Sequence, residues 1–411
     1  MIALFNKIVC PFCFQEVERG SIEYRCVNKR CPSAAEPDHL YSQYMRWPRD
    51  QGLGHVFKPT SRSLFGRSSD VSCDVCHDHT PKPICPHCHN PLPESTLTGT
   101  DNIISVVGTR GSGKSHYIAV LIDELRKRVG HSMGAEIRNF VSLGSGGYDV
   151  ESLYQETKYR PLYEDQKLLE LTRSDVSGVR ENDKIPLIYI WNYLDHSFGR
   201  KKSFTLSFFD AAGEDLQNEE DIATVGGYLR HSKGIIFLAD PLQIPSVRAQ
   251  LEAETGGALT SLAGVESTKT FSSVLANVTT LIRNARGIKQ GAAIDIPVAV
   301  TFPKFDALLP IAGDALTIQQ PSPHCAHGAF VEGDQQAVDA EMRTLLENWG
   351  EGALITDIRG NFKDVSFFAV SSLGLGNAPD TDGNVRRPRP HRVEDPLLWL
   401  MSRYGLVTKE Q

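Results

Sequence analysis

Residues 103–128 read strand, glycine-rich loop, helix, and few architectures outside an α/β sheet accommodate that order. Ile103-Ile-Ser-Val-Val107 is a short β-branched apolar run, the pattern of a buried strand. Gly108-x4-Gly113-Lys114-Ser115 follows, and His116 to Arg128 has a helical pattern with Ile118, Leu121, Ile122 and Leu125 apolar. Glycines let backbone amides crowd around phosphates at a helix N-terminus. Gly108, Arg110, Gly111, Ser112, Gly113, Lys114, Ser115 and His116 are therefore expected to hold a nucleotide. Lys114 would neutralise β- and γ-oxygens, and the Ser115 hydroxyl would ligate Mg²⁺. Strand–helix alternation behind this loop predicts an α/β fold, with a mostly parallel sheet, helices on both faces and nucleotide at the carboxyl ends of the strands.

Later strands bear on which nucleotide. Ser203–Phe209 is a strand ending in Asp210-Ala-Ala-Gly213. Asp210 would hold Mg²⁺ through water and the Gly213 amide would sense the γ-phosphate. Lys233–Ala239 is another strand, ending in Asp240-Pro241; Asp240 rivals Asp210 for magnesium, but no glycine follows at the switch spacing. Ile296–Phe302 ends in Pro303-Lys304-Phe305-Asp306. A carboxylate there can accept from guanine N1–H and N2–H₂, and Lys304 would lay its stem over the base. Asp364–Val370 leads into Ser371-Ser372-Leu373, whose amides could meet guanine O6.

These motifs, in the order GTRGSGKS, DAAG, PKFD, SSL over about residues 100–411, resemble a P-loop GTPase of the TRAFAC clade with a Ras-like fold. With CPFC, CPHCHNPLP, FFDAAGEDL, FLADPLQ and VEDPLLWL, the chain is similar to the bacterial double-GTPase (GTPase-like) family. That resemblance implies GTP or GDP with Mg²⁺, hydrolysis involving Lys114, Asp210, Gly213 and Glu214, a protein effector or activating partner, and a place in bacterial conflict (defence) systems. Two departures stand out. Pro303 takes the place of the clade's Asn or Thr, removing a bond that braces the loop. Glu214 replaces the usual Gln, and its charge would face the γ-phosphate and slow intrinsic turnover. Thr157 and Thr172 are both open as the switch threonine.

Eight of the nine cysteines lie between Cys10 and Cys88, as Cys10-x2-Cys13, Cys26-x4-Cys31, Cys73-x2-Cys76 and Cys85-x2-Cys88. Cys-x2-Cys turns aim two thiolates at one centre, so eight sulfurs predict two closed zinc sites of a structural kind. Pairing is open between sequential (10, 13, 26, 31 with 73, 76, 85, 88) and interleaved. His77, His79, His87 and His89 are read as solvated neighbours of the knuckles. Residues 1–98 would form a zinc-ribbon-like module that folds on metal, and residues 99–411 the nucleotide domain with insertions. The net charge of -7 sits behind the near-neutral first 98 residues and gives no broad electrostatic grip on nucleic acid. No apolar run reaches the length of a membrane span. A cytoplasmic protein with reduced thiols is expected.

Gly130–Lys202 reads as a helical insertion. Helices are expected over Phe271–Arg286, Gln335–Trp349 and Glu394–Tyr404, with Arg386–Arg392 a solvated basic strap before the last. Cys325 receives no role. Three readings compete: a GTPase switch, which the base-side residues favour; an ATP-driven NTPase, for which they would be coincidence; and a non-catalytic nucleotide-binding adaptor, which Glu214 keeps open.

Overall fold

Five of the seven strands in the central sheet of this computed structural model lie on apolar runs read from the sequence. The structure describes residues 7–45, 51–59, 71–79, 81–98, 102–108, 111–140, 149–169, 185–195, 200–208, 226–256, 271–374, 377, 380 and 383–410. In chain order the strands are β1 (Asn102–Gly108), β2 (Ala135–Asn139), β3 (Leu187–Asp195), β4 (Arg200–Phe208), β5 (Ser232–Leu238), β6 (Val298–Phe302) and β7 (Val365–Ala369). Their order across the sheet is β7-β6-β5-β1-β4-β3-β2. The pairs β1/β4, β5/β6 and β6/β7 run parallel. The order reverses at β1, the switch point beside which α/β sheets place their ligands.

The helical insertion expected over Gly130–Lys202 is corrected. It holds β2 and β3 as well as a helix over Val150–Tyr154 that widens into π geometry over Gln155–Glu164. Strand β3 buries Tyr189 and Trp191, a period-two aromatic pattern within the stretch read as helical.

Contacts divide the chain into two compact units: Met1–Ile103 with Arg138–Leu153 and Arg180–Ser207, and Ile104–Ile137 with Tyr154–Val179 and Phe208–Gln411. In the second, β1 feeds α1 (Lys114–Glu124), where Tyr117 through Ile122 are all buried. The expected helix to Arg128 keeps its length but turns π over Leu125–Val129. Helices α2 (Phe271–Arg286), α3 (Glu332–Asn348) and α4 (Asp395–Arg403) complete the packing. Asp339 of α3 accepts from Phe367 N of β7 at 2.9 Å. Asp395 through Ser402 of α4 are all buried, and Trp399 meets the Phe368 ring edge-on at 5.8 Å. Gly234 sits in mid-strand because a Cβ there would lie 2.9 Å from Leu400 Cδ2.

The basic strap before α4 is exposed at Arg386, Arg387 and Arg389, as expected, and is corrected at Arg392. Arg392 is buried, with its guanidinium on Asp334 and Asp395 and on the carbonyls of Gln320 and Thr317. Its partners lie 58 to 75 residues away for all but Asp395, so composition alone made it look solvated.

In the first unit the hairpin Lys7–Val9/Glu16–Glu18 uses the Cys10–Cys13 knuckle as its turn. The two residues between those cysteines carry the packing. Pro11 O accepts from Ser207 Oγ of β4 at 3.1 Å, Phe12 O accepts from Tyr44 Oη at 3.1 Å, and the Phe12 ring lies 6.1 Å from that of Phe140. A second tie joins Ser95 and Thr205 hydroxyls at 2.6 Å. Among the described residues no helix is long and apolar enough to cross a membrane.

Because Ser207 is buried, its removal leaves a buried carbonyl without that donor. Ser207→Ala should lower unfolding stability by about 1–2 kcal/mol, read as a shift of the urea midpoint at unchanged slope. No shift would mean that the knuckle is not held by this bond.

Candidate functional site

The eight clustered thiols fall into two groups, Cys10, Cys13, Cys85, Cys88 and Cys26, Cys31, Cys73, Cys76, with the sulfurs of each within 4.8 Å of one another. The pairing is thus interleaved, and an antiparallel ladder dictates it. Glu23–Arg25 pairs with Lys82–Ile84 so that Arg25 faces Lys82 and Glu23 faces Ile84. Cys26 and Cys85, each the next residue after its strand, therefore leave the ladder at opposite ends. Sulfur separations fit a tetrahedral ion: Cys10–Cys88 and Cys13–Cys85 are 3.8 Å and Cys26–Cys76 is 3.6 Å. A zinc–sulfur bond of about 2.3 Å spaces the corners of a tetrahedron by about 3.8 Å.

The knuckles share one backbone design. Phe14, His77 and His89 follow the second cysteine with φ of 57°, 59° and 51°, and each donates its N–H to the carbonyl of the first cysteine at 2.8–3.0 Å. His89 is not the solvated neighbour expected: Nδ1 lies 2.9 Å from Asp38 and Nε2 3.1 Å from Glu23. With both ring nitrogens on carboxylates, it has none for a metal. Asp38 also holds buried Arg25 at 2.5 Å and caps the helix His39–Tyr44 through Tyr41 N. Burial opposes ionisation of Asp38, but His89, Tyr41 N and the Arg25 charge hold its carboxyl below the ordinary value.

A third cluster, His324, Asp334 and Asp395, is unsuited to a metal. Arg392 Nη1 already sits 2.8 Å from each carboxylate. His324 Nδ1 accepts from Val331 N at 3.1 Å, so the proton of the neutral ring is on Nε2, which faces Asp395 at 3.6 Å. Burial lowers the His324 pKa, as a neutral ring requires.

At the glycine-rich loop, Gly111 and Gly113 take φ of 73° and 84°, and Gly113 is the left-handed N-cap of α1. Gly108 is required for a different reason: a Cβ there would lie 2.5 Å from Leu238 O of β5. Lys114 is buried and donates to Gly108 O at 3.3 Å. Ser112 Oγ is buried with no hydrogen-bond partner, an orphan that a phosphate oxygen could satisfy. Ser115 is half-buried. His116 turns Nε2 to Leu169 N at 3.0 Å.

The base-side candidates come together from two strand ends. Ser371 Oγ donates to Asp306 Oδ1 at 2.7 Å and accepts from Gly374 N at 3.0 Å. Lys304 and Ser371 form an antiparallel bridge, and Ser372 N reaches Pro303 O at 3.4 Å. Ser372 Oγ is buried without a partner, while Leu373 is half-buried with its carbonyl accepting from Arg389 N. Burial raises the Asp306 pKa, the Ser371 hydroxyl opposing it. Asp240 is no rival for magnesium: Oδ2 holds Lys304 Nζ at 2.7 Å and Oδ1 caps Leu242 N at 3.0 Å. Asp-Pro at a strand end is a capping signal, and it was the available clue to this residue. Arg110, Thr172, Asp210, Gly213 and Glu214 lie outside the described residues.

No family model matches the sequence, so the family resemblance rests on the motifs. The chain is 26% identical over 435 residues, covering 97% of this chain and 99% of the other, to SaeC of Mycolicibacterium smegmatis, whose name gives it a provisional ESX-1 scaffolding and assembly role. Similar solved structures include the signal recognition particle receptor SRb-GTP/SRX complex of Chaetomium thermophilum (14% identity, 67% of this chain, 92% of that one, TM-score 0.26). Another is the Arl6 BBS3 small GTPase of Trypanosoma brucei with bound GppNp (12% identity, 75% and 100%, TM-score 0.25). At these TM-scores the superpositions say nothing about nucleotide or residue roles.

The two thiol groups share no residue, so they should empty one at a time. Cys85→Ser and Cys31→Ser should each remove one of two zinc equivalents in elemental analysis of the purified protein. Loss of both ions from either variant, or one ion in the unaltered chain, would contradict the grouping.

Proposed function

We propose that the chain is a guanine-nucleotide-binding switch whose first unit is fastened by two structural zinc ions. The observation that carries this is the half-buried Asp306 carboxyl, held by Ser371 from a second strand end. A carboxylate so placed accepts from two adjacent N–H groups, which guanine offers on N1 and N2 and adenine does not. Amides of Gly111 through Ser115 and the Lys114 ammonium would take the phosphates. Ser115 and Asp210 would hold Mg²⁺, and the backbone of Ser371–Leu373 would meet O6. The eight thiolates would hold zinc, which supplies folding free energy and no substrate chemistry.

Hydrolysis enters the proposal through Asp210, Gly213 and Glu214 on sequence alone. A protein partner is favoured over nucleic acid, given the net charge of -7. The relative's similarity spans 97% of this chain, and it favours a role in assembling other proteins over the conflict-system role that the motif resemblance implies.

Asp306 must be ionised to accept from guanine, and burial raises its pKa. GDP affinity should therefore be full above that raised pKa and be lost as pH falls through it, at a higher pH than an ordinary carboxylate near 4 would give. Ser371→Ala removes the one hydroxyl that favours the ionised form and should move the loss to still higher pH. Calorimetric GDP titrations from neutral to acid pH read both. An acid limb identical in the two proteins would remove Asp306 from base recognition.

A further inference from the structure

Lys304, expected to lay its stem over the base, pairs with Asp240, which has no part in the phosphate, magnesium or base contacts above. Pro303 offers no side-chain donor or acceptor, and its carbonyl is already engaged by Ser372 N. Pro303 therefore gives the Lys304 ammonium no anchor. Yet that ammonium is 2.7 Å from Asp240 Oδ2, with the lysine side chain 28% exposed and the aspartate 5%. The aspartate is fixed by its second oxygen, which accepts from Leu242 N at 3.0 Å, and by its own carbonyl, which accepts from Gln243 N at 3.0 Å. It is thus a rigid, buried anchor whose other oxygen holds Lys304. Residue 240 also stands two positions beyond Leu238, whose carbonyl Gly108 packs against.

We infer that Asp240 is a positioning residue for the purine base. It acts through Lys304, clamping the ammonium so that the four-carbon stem is presented as a fixed apolar edge over the ring. A lysine stem left free loses rotamer entropy when a ligand immobilises it; Asp240 meets that loss before the ligand arrives. The proposal rests on the guanine reading and adds the residue that makes its lysine competent. It also gives the Asp-Pro at the end of β5 a purpose other than Mg²⁺.

The test is a double-mutant cycle on GDP affinity in the full, zinc-loaded chain. Asp240→Asn keeps an oxygen to cap Leu242 N while removing the charge that holds Lys304. Lys304→Met keeps most of the stem and removes the ammonium. Asp240→Asn should weaken GDP about tenfold, the worth of one charge-assisted hydrogen bond, and should weaken nothing further in the Lys304→Met background. Competition by inorganic pyrophosphate, which has no base, should be the same in all four proteins. Unchanged GDP affinity in Asp240→Asn overturns the inference. So does an equal loss in the Lys304→Met background, or a parallel loss for pyrophosphate, since each would mean that Asp240 only supports the fold. Failure of the unaltered protein to bind GDP at all would instead sink the guanine reading, and this inference with it.

Discussion

Gly108 packs so closely on Leu238 O that no side chain fits between the loop and β5. This approach joins the phosphate side of the candidate site to the base side. From Leu238 the chain reaches Asp240, then by an ion pair Lys304, then Asp306 and the Ser371 hydroxyl. Each link is short and at least half-buried, so the arrangement has little freedom to drift. Gly108 is therefore needed for contact, whereas Gly111 and Gly113, with nothing within 4 Å of a Cβ, are needed for their positive φ.

The first unit is organised by a different constraint. The two- and three-residue strands around its cysteines cannot bury enough apolar surface to fold alone, and charge is spent there, where Arg25, Asp38 and His89 are locked together. An ion pair of this kind gives little net stability, although breaking one partner is costly. Zinc at the two thiol groups would supply the deficit. Burial pushes the Cys10 and Cys88 thiols well above their ordinary value, and a divalent ion is the natural means of reversing that preference. The ties from Pro11 to Ser207 and from Ser95 to Thr205 then fasten β4 to the knuckle side within that unit.

Local periodicity made much of the fold legible. The stripe from Phe271 to Ile282 predicted the span observed for α2, and apolar runs located β1, β4, β5, β6 and β7 to within a few residues. What escaped depended on distant partners. Nothing near Arg392 in sequence names Asp334 or the Thr317 carbonyl, so a basic, proline-rich stretch read as solvated. Strand β3 was missed although Asn182-Asp183 and Pro186 before it and Gly199 after it mark its ends, because its stretch was read whole as helical. The thiol grouping was undetermined because spacing gives which cysteines share a knuckle, not which end of a ladder each leaves. For the site, residue types gave Lys114, Lys304, Asp306 and Ser371 as candidates. Asp240 gained its place only when its Oδ2 was found on Lys304.

The central claim is selection of guanine, and it is read most directly by displacement of a fluorescent GDP from the zinc-loaded protein at fixed Mg²⁺. GTP and unlabelled GDP should displace it at concentrations at least about a hundredfold below those of ATP and ADP, the discrimination expected when one member of a pair leaves a buried hydrogen-bonding group unmatched. Displacement by ATP and GTP at equal concentration would contradict the account, because Asp306 would then be making no distinction between the bases.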